Sequence, residues 1–291
     1  MRIFLLRMLA FILVAATDLT HAKVLVLSSI KPLTLIAQEI VGDSGSVDTL
    51  LPVTASPHDY PLKASDHSRL QKADIVLWVG PELESFLQKP LGSLPSARLI
   101  SGYGLAGLYW PAEEVGHDHH HERDPHLWLD PRNAIVVARR LSEKLIEIDV
   151  AHKQNYSSNL QVFVKKMEAL DAKIAIKLRP FAGIGFAVYH EGYRHFVGRY
   201  GLRQLDYVTF TPEQQPGAKH LQSLREVLRS DGVCLFLEPY FEPPSVRNLA
   251  KELNLHLGIL DALGTQNVTS YQELLERMAD AFSTCLANRP A

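Results

Sequence analysis

The stretch AHKQNYSSNLQVFVKKMEALDAKIAIKLRP, residues 151–180, decides how the rest of the chain is organised. Apolar side chains recur through it at every third or fourth position and form one stripe along a helix: Tyr156, Leu160, Phe163, Met167, Leu170, Ile174 and Leu178. Pro180 ends the pattern. A helix of about 28 residues would be roughly 42 Å long, enough to traverse two lobes. Two helices broken near Ser157 and Ser158 are the alternative, but the stripe continues through them.

Short apolar runs lie on both sides of this segment, bounded by Gly, Pro or Asp. Such runs of four to eight residues are typical of buried strands in parallel sheets. The runs, each given with its first residue, are KVLVLSS at Lys23, VDTLLPV at Val47, ADIVLWVG at Ala73, GIGFAVYH at Gly183, RQLDYVTF at Arg203, GVCLFLEP at Gly232 and LHLGILDALG at Leu255. Segments with helix signals separate them, such as 34–41 and 216–229. The sequence therefore predicts an α/β protein of two Rossmann-like lobes with parallel sheets, residues 23–149 and 181–291, joined by a long linking helix within residues 150–180.

The first 22 residues have the pattern of a secretory signal peptide. Arg2 and Arg7 precede an apolar run from Met8, and the stretch ends in Thr-His-Ala. Cleavage is expected after Ala22. The run is too short to cross a bilayer, which takes about 20 apolar residues. We therefore expect an exported mature chain without a membrane span.

The net charge limits the classes of partner that fit the chain, and the two cysteines bear on its disulfide content. With 30 basic and 32 acidic residues the formal net charge is -2, so nothing indicates nucleic acid or an anionic membrane as a partner. Cys234 and Cys285 are the two cysteines. In an oxidising compartment they would most simply form one disulfide, closing a loop of about 50 residues and contributing roughly 4 kcal/mol. Two free, buried thiols are the alternative.

The stretch YHEGYRHF, residues 189–196, has an HExxxH core that looks like the HExxH signature of zinc proteases. In HExxH both histidines lie on one face of a helix. His190 and His195 are five residues apart, about 140° around a helix, so they would face different directions. The protease interpretation therefore fails. His195 is interpreted as structural, and Glu191 as either a surface acid or an acid at the start of the helix that carries His195.

Three of the thirteen histidines stand out, and two of them follow predicted strands. His58, in ASPHDYPL, follows the strand predicted over 47–53; His126 lies in DPHLWLDP; His190 ends the strand predicted over 183–189. Open α/β sheets place their ligand sites at the carboxyl ends of strands. A single histidine of this kind is more often hydrogen-bonded within the protein or exposed to water than a metal ligand. The spacing of the three along the chain does not establish that they converge.

A series of motifs along the chain indicates a family, which the spacing of the histidines does not. In order along the chain they are SIKPL at Ser29, LPVTASPHDYPLKASD at Leu51, ADIVLWVGPELESFL at Ala73, a histidine-rich loop, HLWLDP at His126, YHEGYRHF at Tyr189, PEQQPGAK at Pro212, FLEPYF at Phe236 and LDALGT at Leu260. This order closely resembles the zinc-binding receptors of bacterial high-affinity zinc ABC importers, within the cluster A-I metal-binding solute-receptor family. The resemblance covers essentially all of residues 23–291, and the position of the two cysteines fits it as well.

The resemblance implies a zinc site in the cleft between the lobes, held by His58, His126, His190 and Asp261. The manganese-binding relatives carry a carboxylate at the third position, and three neutral imidazoles suit zinc better than manganese. The fourth ligand has alternatives: water could take that place, with Asp261 orienting a ligand imidazole instead. A glutamate beside the first histidine, another family option, is absent because Pro57 and Asp59 flank it.

The implied function is a periplasmic, monomeric receptor, not an enzyme, that captures Zn(II) and delivers it to an ABC permease. Three rivals stay open: a zinc metallohydrolase with three histidines and an open water position, a manganese receptor of the same fold, and a metal-binding chaperone or adhesin that never meets a transporter. The loop of residues 113–123 carries His117, His119, His120 and His121. It either captures and transfers metal or is a solvated loop with incidental metal affinity.

Overall fold

The computed structural model describes residues 23–112, 123–239, 241, 243–264 and 267–288. The predicted signal peptide lies outside the described residues. So do residues 113–122, which contain the four histidines of the predicted metal-capturing loop.

The first sheet has four parallel strands in the order β2-β1-β3-β4. Their bounds are β1 Val24–Ser28, β2 Gly45–Thr49, β3 Ile75–Trp78 and β4 Leu99–Ser101. The accompanying helices are α1 Lys31–Val41, α2 Ala64–Lys72, α3 Gln88–Gly92 and α4 Pro131–Ile148. All four residues of β3 are buried, because helices cover both faces of a parallel sheet.

The second sheet repeats this architecture in the order β6-β5-β7-β8, again with parallel strands. The strands are β5 Gly185–His190, β6 Arg203–Thr209, β7 Gly232–Leu237 and β8 His256–Ile259. The helices are α6 Arg194–Tyr200, α7 Ala218–Asp231, α8 Pro244–Glu252 and α9 Tyr271–Ala287. A disulfide joins Cys234 in β7 to Cys285 in α9, which confirms the predicted pairing.

One continuous helix, α5 Lys153–Leu178, links the two sheets over 26 residues. Its buried side chains are those of the predicted stripe, with Leu160 half-buried. The helix pairs with both lobes: Lys166 Nζ lies 2.6 Å from Glu39 Oε1 in α1, and Lys173 Nζ lies 2.7 Å from Glu276 Oε1 in α9. The two-lobed α/β fold with a long linking helix is thus confirmed.

Three of the differences between the structure and the sequence prediction concern β4, β2 and the helix that carries His195. Strand β4 was not predicted, because it is three residues long and has only two apolar side chains. Strand β2 ends at Thr49 and not at Val53, since Thr49 pairs with Ser28, the last residue of β1. The helix carrying His195 begins at Arg194 and not at Glu191. Within the described residues, no helix is both long and apolar enough to cross a bilayer.

Candidate metal centre

The structure brings His58, His126 and His190 together at the carboxyl ends of the two sheets. His58 lies in the loop between β2 and α2, His126 stands just before the turn that leads into α4, and His190 is the last residue of β5. One ring nitrogen of each lies within 4.8 Å of the other two. The Nε2 atoms of His126 and His190 are 3.2 Å apart. Two imidazoles from the first lobe and one from the second therefore face a common point.

A buried carboxylate contacts His126 on the side away from that point. Asp124 Oδ1 lies 2.7 Å from His126 Nδ1 and also accepts the His126 backbone N–H at 2.9 Å. Because the carboxylate accepts the Nδ1 proton, the His126 Nε2 lone pair is left directed at the other histidines. The second Asp124 oxygen accepts the Arg194 backbone N–H at 3.1 Å, which ties this carboxylate to the other lobe.

Burial favours the neutral imidazoles that a transition metal requires. It lowers the pKa of His58 well below the ordinary value, and the neighbouring His126 and His190 lower it further. Burial also lowers the pKa of His126, despite the opposing effect of Asp124. For His190 burial acts in the same direction, but the nearby carboxylates of Glu238, Asp124 and Glu191, with Glu238 the strongest, together outweigh it and raise the pKa.

Two further observations fit a cation at this point. The buried His58 Nε2 atom has no hydrogen-bond partner within the described part of the chain. A Cβ placed on Gly192 would lie 2.3 Å from His190 Nε2 and 3.0 Å from His126 Cε1, so the absence of a side chain there keeps the space beside these rings open. Three inward nitrogens of this kind are a donor set that suits zinc.

Asp261 lies on the wall of the same cavity, which has a volume of about 50 Å³. It is not among the residues whose ligand atoms cluster within 4.8 Å, and its Oδ1 accepts the Gly264 backbone N–H at 2.9 Å. Side chains lie close to the carbonyls on either side of it: Trp128 Nε1 donates to Ala262 O at 2.8 Å, and the Tyr193 hydroxyl lies 3.3 Å from Leu260 O.

The two other residues of the HExxxH stretch have different surroundings from each other. His195 is buried on α6, with Nε2 3.0 Å from Asp124 O and Nδ1 3.2 Å from Asn133 Nδ2, so its contacts are structural. The prediction that Glu191 is a surface acid or a helix-start acid is wrong, because the side chain is buried and the helix begins at Arg194. Glu191 is buried, its carboxylate accepts from Arg194 and from Gln204 Nε2, and its backbone N–H donates to Thr209 O. That backbone bond extends the pairing of β5 with β6 and turns the side chain inward.

Sequence reasoning missed the carboxylates that contact the histidines. Asp124 was visible two residues before His126, and Glu238 directly follows β7. Because β7 pairs with β5 in parallel, their carboxyl ends are adjacent, which places Glu238 beside His190. The order of strands in the sheet was the missing information.

Comparison with known proteins gives a family match and relatives over nearly the whole chain. Residues 26–285 match the model of a family described as the zinc-uptake complex component A, periplasmic. The chain is 35% identical to the high-affinity zinc uptake system protein ZnuA of Yersinia pestis, covering 96% of both chains. It is 32% identical to the protein of that name from Haemophilus ducreyi, covering 92% of this chain and 94% of the relative.

Solved structures show the same fold. A zinc-bound ZnuA deletion mutant superposes with a TM-score of 0.80 at 24% identity, covering 92% of this chain and all of that one. A Zn(II)-bound AdcAII variant of Streptococcus pneumoniae gives a TM-score of 0.78 at 26% identity, covering 91% of this chain and 98% of that one. The family match over nearly the whole chain, the relatives and the shared fold lead to one conclusion: the chain belongs to the family of periplasmic zinc-uptake component A proteins.

Proposed function

We propose that this chain is an extracytoplasmic receptor that captures Zn(II) and delivers it to an ABC permease for uptake. The observation that carries the proposal is the convergence of His58, His126 and His190, from two lobes, on one point. The relatives named as zinc uptake proteins support the choice of metal and of role.

In this proposal the three histidines are zinc ligands, and Asp261 or a water molecule completes the tetrahedron. For Asp261 to be the fourth ligand, its carboxylate has to come closer to the cluster than it lies in this structure, where it lines the cavity wall. If Asp261 instead stays where it is, a water molecule takes the fourth position. Three imidazoles with at most one carboxylate favour zinc over manganese, which prefers more oxygen ligands.

Binding explains the site better than catalysis does. A metallohydrolase needs an open metal position together with a general base placed to activate water. The carboxylates beside these histidines, Asp124 and Glu238, are both engaged with histidine Nδ1 atoms. Because these carboxylates accept hydrogen bonds from the proposed zinc ligands, they are not placed to take a proton from water.

The remaining parts of the chain are assigned in the same proposal. Residues 1–22 are a signal peptide removed after Ala22, and the exported protein acts in the periplasm as a monomer. Residues 23–149 and 181–291 are the two lobes, and 150–180 are the linking segment. The histidines of the loop 113–123 bind additional metal weakly, as is typical of a short histidine-rich tract in a sequence.

Competition of residues 23–291 with a chelator, for zinc and for manganese, tests the proposal. We expect one tight zinc site, much weaker manganese binding, and a loss of at least about 100-fold in zinc affinity for His58→Ala, His126→Ala or His190→Ala. His220→Ala is the matched control, since His220 lies on α7 and its Nε2 contacts Tyr207 O, away from the cluster. Alanine at all four loop histidines should remove only weak sites. A tight site that survives His190→Ala would overturn the ligand assignment, and zinc-dependent hydrolysis would overturn the receptor role.

A further inference from the structure

Glu238 is a carboxylate enclosed between two side chains of the second lobe. It directly follows β7, and its Oε1 accepts hydrogen bonds from His190 Nδ1 and, at 2.7 Å, from the Tyr193 hydroxyl. Its side chain is only 13% exposed, and Tyr193 is 1% exposed. A carboxylate is rarely withdrawn from water without partners, and the partners here are a proposed metal ligand and a phenol.

The geometry selects one form of the His190 ring. A carboxylate accepts only, so the His190 Nδ1 that contacts it carries a proton. In the neutral ring the lone pair is then on Nε2, the atom that lies 3.2 Å from His126 Nε2. The opposite tautomer would place a lone pair against the carboxylate and a proton at the point where the three histidines converge.

Tyr193 fixes the carboxylate in turn. A phenol has a single proton, and the Tyr193 hydroxyl lies closer to Glu238 Oε1, at 2.7 Å, than to Leu260 O, at 3.3 Å. The hydroxyl therefore donates to Glu238. Tyr193 stands three residues after His190, and its ring lies 5.8 Å from the imidazole, so both partners of Glu238 belong to one short segment.

We propose that Glu238 is the positioning residue of the third zinc ligand, and that Tyr193 holds Glu238 in place for that role. Glu238 orients His190 and adds negative charge beside the cation, as Asp124 does for His126 on the first lobe. The inference rests on the proposed function, because it assigns a partner to one of the proposed ligands. Outer-sphere partners of this kind change metal affinity by about 10- to 100-fold when they are removed.

The test compares zinc affinity, by chelator competition, in residues 23–291 carrying Glu238→Ala, Glu238→Gln or Tyr193→Phe. We expect Glu238→Ala to weaken zinc binding by about 10- to 100-fold. Glutamine keeps an oxygen that accepts the Nδ1 proton and should restore part of this loss, and Tyr193→Phe should cost less than Glu238→Ala. Glu213→Ala, which removes an exposed carboxylate of the same lobe, is the control for general electrostatics.

A second readout separates positioning from stability. The visible absorption of the Co(II)-substituted protein reports ligand geometry, and we expect it to change in Glu238→Ala and to return towards the wild-type spectrum in Glu238→Gln. An unchanged spectrum, or zinc affinity within twofold of wild type in Glu238→Ala, would overturn the positioning role. So would equal losses in the Ala, Gln and control variants. A wild-type protein without a tight zinc site would instead overturn the receptor proposal itself.

Discussion

Gly192→Ala is expected to abolish tight zinc binding while leaving the fold intact. A methyl carbon on Gly192 would lie 2.3 Å from His190 Nε2 and 2.5 Å from His190 Cε1, with His126 Cε1 at 3.0 Å. Ordinary van der Waals contacts of a Cβ begin at 3.4 Å, so the His190 ring or the backbone of Gly192 has to move by roughly 1 Å. A zinc–nitrogen bond is only about 2.0–2.1 Å long, and a shift of that size removes His190 as a ligand.

We therefore expect zinc affinity to fall by at least about 100-fold, which corresponds to about 2.7 kcal/mol. Chelator competition measures the affinity, and urea unfolding of the zinc-free protein measures whether the fold has suffered. The change to alanine also reduces the freedom of the unfolded chain, which offsets part of the strain. The free energy of unfolding of the zinc-free protein should thus fall by much less than the free energy of zinc binding does.

Gly183→Ala is the matched control, because a Cβ at Gly183 would meet no atom within 4 Å. It should bind zinc as the wild type does. If Gly192→Ala binds zinc within threefold of this control, the metal does not sit between these rings and the proposed centre is wrong.

Three further predictions concern the stability of the fold. In urea titrations Trp128→Phe should lower the free energy of unfolding by about 1–3 kcal/mol more than Trp78→Phe does, because it leaves the buried Ala262 O unpaired. Trp78→Phe is the control, since Trp78 Nε1 has no partner among the described residues. Equal losses in the two variants would contradict this. Burial raises the pKa of Glu84 from 4.5 to about 7, so the folded state keeps a proton that the unfolded chain loses, and stability falls as pH rises through that window. Glu84→Gln should therefore gain up to roughly 3 kcal/mol on wild type between pH 4 and pH 8, and a pH-independent difference would refute the assignment. Zinc at 100 times its Kd should stabilise the wild type by about 2.7 kcal/mol, a gain that calorimetry should find missing in His126→Ala.

The sequence predicted the two lobes and α5 because both depend on local patterns. The stripe from Tyr156 to Leu178 has a helical period, and strands such as β3 are continuous apolar runs. Strand β4 lacks such a run, and so local pattern did not reveal it. The convergence of the three histidines came from family resemblance and was not deducible from spacing, since His126 and His190 alone are 64 residues apart along the chain.

The burial of Glu191 and the role of Glu238 depended on which strands are neighbours. Glu191 turns inward because β5 continues to pair with β6 beyond His190, and Glu238 meets His190 because β7 lies on the other side of β5. Neither pairing has a signal in the residues themselves. A carboxylate in a sequence looks the same whether water or an imidazole is its partner, and only the sheet order distinguishes the two.

The contacts between the lobes bear on how a bound metal would leave. Trp128, fully buried, donates to Ala262 O, and the Tyr271 hydroxyl donates to Trp128 O, so one residue of the first lobe is bonded twice to the second. Separating the lobes as rigid bodies would exchange both bonds for bonds to water, at a net cost of about 0.5–1.5 kcal/mol for each. It would also disturb α5, which packs on α1 and α9. The loop that carries His58 is instead free of helix and strand from residue 50 to residue 63, so a local change there breaks fewer bonds than an opening of the whole cleft.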